Sequence, residues 1–403
     1  MIDNKKEKPI TSKRLNILDI GNILLILFLL SSILFATIFI MFSIKNELKV
    51  TISEYWNILL AIMIFEIIFF WIGIILVYST SIQLGIKLRI IGISCGMIPI
   101  MHIIILIIII YITRNEVIFE KRKMILNLER NINQICKTKY PILMVHGVFF
   151  RDYKYFNYWG RIPAELEFNG VTIYYGNHQS AASIENSAEE LANRIKQIVS
   201  ETGCGKVNII AHSKGGMDAK VAAACFGIEN LVASITTINT PHFGCEFAEF
   251  LLNKAPSFLC EKVANIYNAS LKKLGDTNPN FLEAVADLTV TRCTYITELI
   301  NNFNFTNAGI YTQSVGSCMK EAASGAFPLN LSYHLVDLFD RPNDGLVGVN
   351  SFVWGENYIY LENSKRNGIS HGDVIDLNRE NIYGFDVREF YVQLVAKLKN
   401  QGL

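Results

Sequence analysis

The run Ala211-His212-Ser213-Lys214-Gly215-Gly216 sets one serine between small residues two places before and two places after it. It joins an apolar stretch, Lys206 to Ala211, to a small-residue stretch, Lys214 to Phe226. A strand that turns sharply into a helix lifts a serine oxygen above the sheet and crowds the positions two away on either side, so both must be small. A hydroxyl presented in this way can attack an acyl carbon if a base takes its proton and donors hold the oxyanion. Position 211 departs from the commoner glycine, but alanine adds a single methyl group and leaves the turn feasible.

The other parts of such a reaction can be sought along the chain. His146-Gly147-Val148 follows the apolar strand Pro141 to Val145, where a glycine lets the backbone turn its amides toward the serine. The amides of Val148 and Lys214 are therefore the candidate oxyanion donors, and His146 is given no proton-transfer role. The base must be a histidine lying after an acid in chain order. His242, His334 and His371 are the histidines after Ser213. His242, in Thr240-Pro241-His242-Phe243-Gly244, comes too early to leave room for the acid, and His334 precedes the best acidic loop. His371 lies between a strand, Tyr358 to Leu361, and the last helix, and is preferred. Asp344 sits in the turn Arg341-Pro342-Asn343-Asp344-Gly345, with Asp337 and Asp340 as alternatives.

These residues need a scaffold, and the pattern from about Lys139 supplies one. Apolar strands are expected at 141–145, 171–175, 206–211, 231–238, 309–315 and 358–361. Ser187 with Glu190 reads as a capping box opening a helix that Gly203 ends. Further helices are expected at 214–226 and about 386–399. Strands alternating with helices imply a parallel, doubly wound α/β sheet. Residues 245–305 break the rhythm with Phe- and Leu-rich helical segments and read as an insertion.

Taken in order, H-G after the first strand, S-x-G-G at the turn, T-P-H-x-G, N-D-G-L-V and H-x-D resemble the bacterial triacylglycerol lipases of the α/β-hydrolase fold, over about residues 139–400. The resemblance implies Ser213 as nucleophile, Asp344 rather than Asp337 or Asp340 as the acid, His371 as the base, and Val148 with Lys214 as the oxyanion hole. It implies that 245–305 covers the active site as a cap, that the substrate is an acyl lipid or another ester, and that the reaction requires no cofactor. The same triad would also serve a phospholipase, a thioesterase or an acyltransferase, and an idle domain of this fold would only bind. In similar lipases the aspartate two places after the catalytic histidine binds a structural calcium. Asp373 occupies that place, without an identifiable partner acid before Asp344.

The full chain of 403 residues allows two or three units. Its 37 basic residues nearly balance 36 acidic ones, so no net field gathers nucleic acid. Its 8 cysteines lack C-x-x-C spacing and read as buried thiols. Hydrophobic residues make up 51%, and the excess is concentrated at the front. Ile20–Ile44, Tyr55–Ile86 and Ile90–Thr113 carry among them only Glu66, Lys87 and Arg89 within or between the last two, and each is long enough to cross a ~30 Å hydrocarbon core. Three transmembrane helices are expected. The chain then divides into a basic tail (1–16), a membrane region (17–113) in contact with membrane lipid, a juxtamembrane linker (114–138) and the hydrolase-like domain (139–403). Three crossings tie the positive-inside count at seven to seven. The large domain can translocate regardless of charge, so the expectation is an integral protein of the cell membrane with its N-terminus inside and its hydrolase-like domain outside. Glu66 and His102, each midway along a span, are expected to pair.

Overall fold

The computed structural model describes residues 12–44, 52–96, 98–148, 157–254, 256–273, 279–363 and 368–403. The chain forms two compact units, Met1–Glu129 and Arg130–Leu403.

The first unit is helical: α1 (Ser12–Ile44), α2 (Ile52–Thr80), α3 (Gly85–Cys95) and α4 (Pro99–Asn133), the last running through the unit boundary. Three segments, Lys13–Ile38, Leu60–Thr80 and Ile100–Asn133, are long and apolar enough to cross a membrane. The apolar stretch expected at 90–113 is interrupted. Pro99 has no amide to continue a helix and starts a new one instead, since the first helical position needs no donor. Residues 114–133, expected as a linker, prolong α4. Glu66 does not meet His102. Its Oε2 accepts from Ser32 Oγ at 2.7 Å, and the His102 ring lies against Phe28 and Phe70.

The second unit is built on six parallel strands: β1 (Ile142–Val145), β2 (Ile173–Tyr175), β3 (Val207–His212), β4 (Val232–Ile238), β5 (Tyr311–Ser317) and β6 (Asn357–Leu361), in the order β2-β1-β3-β4-β5-β6. The helices between them are α5 (Ile162–Phe168), α6 (Ile184–Thr202), α7 (Lys214–Cys225), α8 (Glu246–Lys254), α9 (Ser257–Lys273), α10 (Phe281–Ala286), α11 (Val290–Leu299) and α12 (Leu329–Val336), with α13 (Val387–Asn400) last. Alternate strand residues face opposite layers. Leu143, Val145, Ile209 and Ala211 pack against α6 and α7. Ile142, Met144 and Ile210 pack against α5 and α13. Both faces are covered, which is why β3 and β4 are buried at every residue.

Two local readings change. Helix α6 starts at Ile184, with Ser183 as its cap accepting from the amide of Asn186. Ser187 and Glu190 are therefore inside the helix; Glu190 binds the Gln179 backbone and side chain instead. Part of the inserted segment belongs to the core. Cys293, Ile296 and Ile300 of its α11 end are buried with α6 and α7 in the core, whereas Ala284 of α10 and Leu288 pack on Val148 and Ala181.

Candidate active site

Ser213 stands at the C-terminal end of β3 and caps α7, with φ 56 and ψ −132. A side-chain-bearing residue held at positive φ costs of order 1–3 kcal/mol, so the surrounding structure must impose it. Its amide is held by the carbonyl of Ile238 at 2.9 Å. The glycines behind it permit the turn. A Cβ on Gly215 would lie 2.3 Å from the His146 carbonyl oxygen, and one on Gly216 would lie 2.1 Å from Thr240 Oγ1.

Asp344 and His371 come together at the ends of the loops after β5 and β6. His371 Nδ1 lies 2.6 Å from Asp344 Oδ2, and the His371 amide binds the Asp344 carbonyl at 2.9 Å. The aspartate is fully buried, yet every acceptor direction is used. Oδ1 takes the amides of Leu346 and Val347 at 3.0 and 2.9 Å, and Oδ2 also takes Asn239 Nδ2 at 2.6 Å. The Asp344–His371 pair holds the histidine with Nε2 as its remaining ring nitrogen. Ser213 follows directly on His212, whose ring centroid is 4.5 Å from that of His371. Ser213 Oγ makes no hydrogen bond to His371 among the described residues.

The loop facing the serine is positioned by a residue that sequence reasoning overlooked. Tyr158 Oη accepts the Gly147 amide at 3.0 Å and is hydrogen-bonded to His212 Nδ1 at 2.6 Å. A Cβ on Gly147 would fall 2.8 Å from Ser213 Cβ, so this backbone passes close over the nucleophile position. Among the described residues, the amides of Val148 and Lys214 have no protein acceptor. The side chain of Lys214 turns away from the site and is buried. Its Nζ reaches Ser187 Oγ at 2.9 Å and Asp218 Oδ1 at 2.7 Å. The other Asp218 oxygen is 3.4 Å from His178 Nε2, and the His178 ring stacks on that of His146 at 4.2 Å. Burial raises the Asp218 carboxyl to about 6 against the pull of the Lys214 ammonium.

The remaining histidines are engaged elsewhere. Buried His242 uses Nε2 for Thr237 Oγ1 at 2.9 Å and Nδ1 for Lys220 Nζ at 3.2 Å, and burial with the nearby lysine pushes its basicity well down. His334 is exposed on α12 beside Tyr333. Asp337 pairs with Arg341 at 2.5 Å. Asp373 accepts the Ser370 amide at 2.8 Å and closes a turn, and burial raises it to about 6. Among the described residues no group of three His, Cys, Asp or Glu side chains could hold a metal ion.

A parallel sheet with the strained serine after β3, and an aspartate–histidine pair carried on the loops after β5 and β6, defines the α/β-hydrolase fold. The lipase of Staphylococcus hyicus shares it, with a TM-score of 0.50 at 18% identity over 66% of this chain and 97% of that one. The chain is similar to bacterial proteins named triacylglycerol lipase. It is 35% identical over 201 residues to those of Pseudarthrobacter phenanthrenivorans and Burkholderia plantarii, covering 46% of this chain and 60% and 53% of theirs. It is 29% identical over 287 residues to that of Vibrio cholerae, covering 66% of this chain and 90% of that one. The chain thus spans little more than half the length of the first two relatives. No protein-family model matches it.

Proposed function

We propose that the protein is a membrane-anchored serine hydrolase that cleaves carboxylic esters of acyl lipids through Ser213, His371 and Asp344. The observation that carries this reading is the coincidence of the strained Ser213 at the head of α7 with the buried Asp344–His371 pair beside it. His371, oriented by Asp344, takes the hydroxyl proton as Ser213 Oγ attacks the ester carbonyl. The amides of Val148 and Lys214 receive the charge on the carbonyl oxygen. His371 then returns the proton to the leaving alcohol, and a water activated by the same histidine hydrolyses the acyl-enzyme. The asparagine and the two amides on Asp344 hold it in place while the imidazolium forms. The three apolar helices at the front of the chain would keep the enzyme at its lipid substrate.

A fluorophosphonate probe tests this directly on the detergent-solubilised full chain. Labelling at Ser213 is expected, with hydrolysis of p-nitrophenyl esters falling about 10³-fold or more in Ser213→Ala. Ester hydrolysis by Ser213→Ala within tenfold of wild type would overturn the reading.

A further inference from the structure

The polar contacts of the first unit order its helices in depth. Arg14, near the start of α1, binds Glu116 of α4 at 2.7 Å and the Thr80 carbonyl, at the end of α2, at 2.5 Å. Glu116 also accepts from Ser81 Oγ at 2.6 Å and from the amides of Ile82 and Gln83 at 3.1 and 3.2 Å. Further along, Lys121 pairs with Asp19 at 2.7 Å and Thr113 Oγ1 with Asn22 Oδ1 at 2.5 Å. The start of α1, the end of α2 and residues 113–121 of α4 therefore share one end of the unit. Contacts deeper in are apolar or nearly so: the rings of Phe28, Phe70 and His102 meet there, and Ser32 binds Glu66 beyond them.

This arrangement decides how often the chain crosses. At 1.5 Å per residue, α1 runs about 33 Å from Asn22 to Ile44, a full ~30 Å core. α2 returns over a comparable length. α3 has 11 residues, about 16 Å of rise, and α4 climbs only about 21 Å from Pro99 back to Thr113. Both ends of the α3–α4 pair lie at the end where Arg14 and Glu116 meet. Described residues around the turn between them bond their own backbone, as hydrocarbon demands: Ile98 donates to Cys95 at 3.0 Å, Gly96 to Ile93 at 3.3 Å and His102 to Ile98 at 2.7 Å.

With this connectivity the charge count is no longer tied. The sequence places Lys5, Lys6 and Lys8 before α1, which starts at the end that also carries Lys13, Arg14, Lys87, Arg89, Arg114, Lys121, Arg122, Lys123 and Arg130, and it places only Lys45 and Lys49 in the connection between α1 and α2. We propose that α1 and α2 are the full crossings, that α3 and α4 form a re-entrant hairpin, and that the chain after Glu129 lies in the cytoplasm on the same side as the N-terminus. The hydrolase then meets its acyl-ester substrate from the cytoplasmic leaflet, replacing the outward placement expected from three crossings. This assignment of the substrate's side rests on the serine-hydrolase reading; the topology itself does not.

Reporter fusions to the full chain test it. Green fluorescent protein after Leu403 is expected to fluoresce, and alkaline phosphatase inserted between Asn46 and Glu47 to exceed the same reporter at Leu403 by about tenfold or more. An active phosphatase and a dark fluorescent protein at Leu403 would overturn the topology. A charged, membrane-impermeant fluorophosphonate should label Ser213 only after cells are permeabilised, and labelling of intact cells would also overturn it. Absence of label in permeabilised cells, with the reporters as expected, would instead sink the hydrolase reading alone.

Discussion

Asn239 Nδ2 lies 2.6 Å from the same Asp344 oxygen that holds His371 Nδ1. The asparagine directly follows β4 with its backbone at φ 44 and its amide bound to the Val315 carbonyl, and its Nδ2 also reaches Ser317 Oγ at 2.8 Å. One residue thus links the end of the strand after Ser213, the next strand and Asp344. A buried carboxylate needs such donors to stay charged.

Asn239→Gly keeps the left-handed backbone and removes the buried carboxamide that binds Asp344 and Ser317. The expected result is a kcat lowered about tenfold with KM little changed, and stability lowered by about 1–3 kcal/mol, because a charged acceptor is left underfilled in the interior. Steady-state kinetics and thermal melting of the variant check this. Unchanged kcat would mean that the amides of Leu346 and Val347 suffice to hold Asp344.

The choice among histidines gives a sharper contrast. His371→Ala is expected to lose as much ester hydrolysis as Ser213→Ala, and the double variant no more than either, because the members act as a unit. Exposed His334, beside Tyr333 and apart from Asp344, should be replaceable by alanine with activity retained. Asp344→Asn should cost less than the serine change and more than Asp340→Asn. Inactive His334→Ala together with active His371→Ala would reverse the assignment.

The parts of this site that were legible in the sequence are those with a local cause. The turn around Ser213 demands small residues at fixed offsets, and Ala211 and Gly215 show them. His371 could be chosen because it follows the acidic loop and precedes the last helix. Asn239 and Tyr158 left no comparable trace: their partners lie 105 and 54 residues away, and a side-chain hydrogen bond across that separation imposes no spacing. The capping box failed for a related reason. Ser187 and Glu190 fit the pattern, but Ser183 was an equally competent cap, and tertiary partners claimed the other two: Lys214 for the serine, Gln179 for the glutamate. In the membrane region, composition showed the apolar lengths but not where α4 would return, because that depends on Glu116 finding Arg14 and the 81–83 backbone.

Acid should destabilise the protein partly through its buried histidines. Burial and the neighbouring Lys220 lower His242, and burial with the nearby His371 lowers His212. Both stay neutral when folded, while the unfolded chain takes up protons below about pH 6.5, so the unfolded state binds more protons there and their contribution to stability, present above that pH, is lost on acidification. Asp218 and Asp373, raised to about 6, work in the opposite sense between about pH 4 and 6. His242→Phe is expected to melt lower at pH 7.5 yet to lose less between pH 6.5 and 5 than wild type does. An equally steep fall would remove His242 from the explanation.

Lys214 and Asp218 form a buried ion pair one turn behind the nucleophile, both about 1% exposed. The Lys214 backbone amide is the proposed oxyanion donor, and its side chain is tied to α6 through Ser187, so the pair anchors the first turn of α7 against its neighbour. Removing one partner strands a charge in the interior and is expected to cost about 3–5 kcal/mol, whereas replacing both by apolar groups avoids that penalty. Lys214→Met and Asp218→Leu should therefore each lower the melting temperature, while the double variant lowers it by clearly less than the sum of the two single shifts. Kinetics on the double variant separate packing from positioning. If the ion pair holds the Lys214 amide toward the oxyanion, kcat stays depressed after stability returns; if kcat returns along with stability, packing alone aligns that turn. Strictly additive melting shifts would show that the two side chains do not act as a pair.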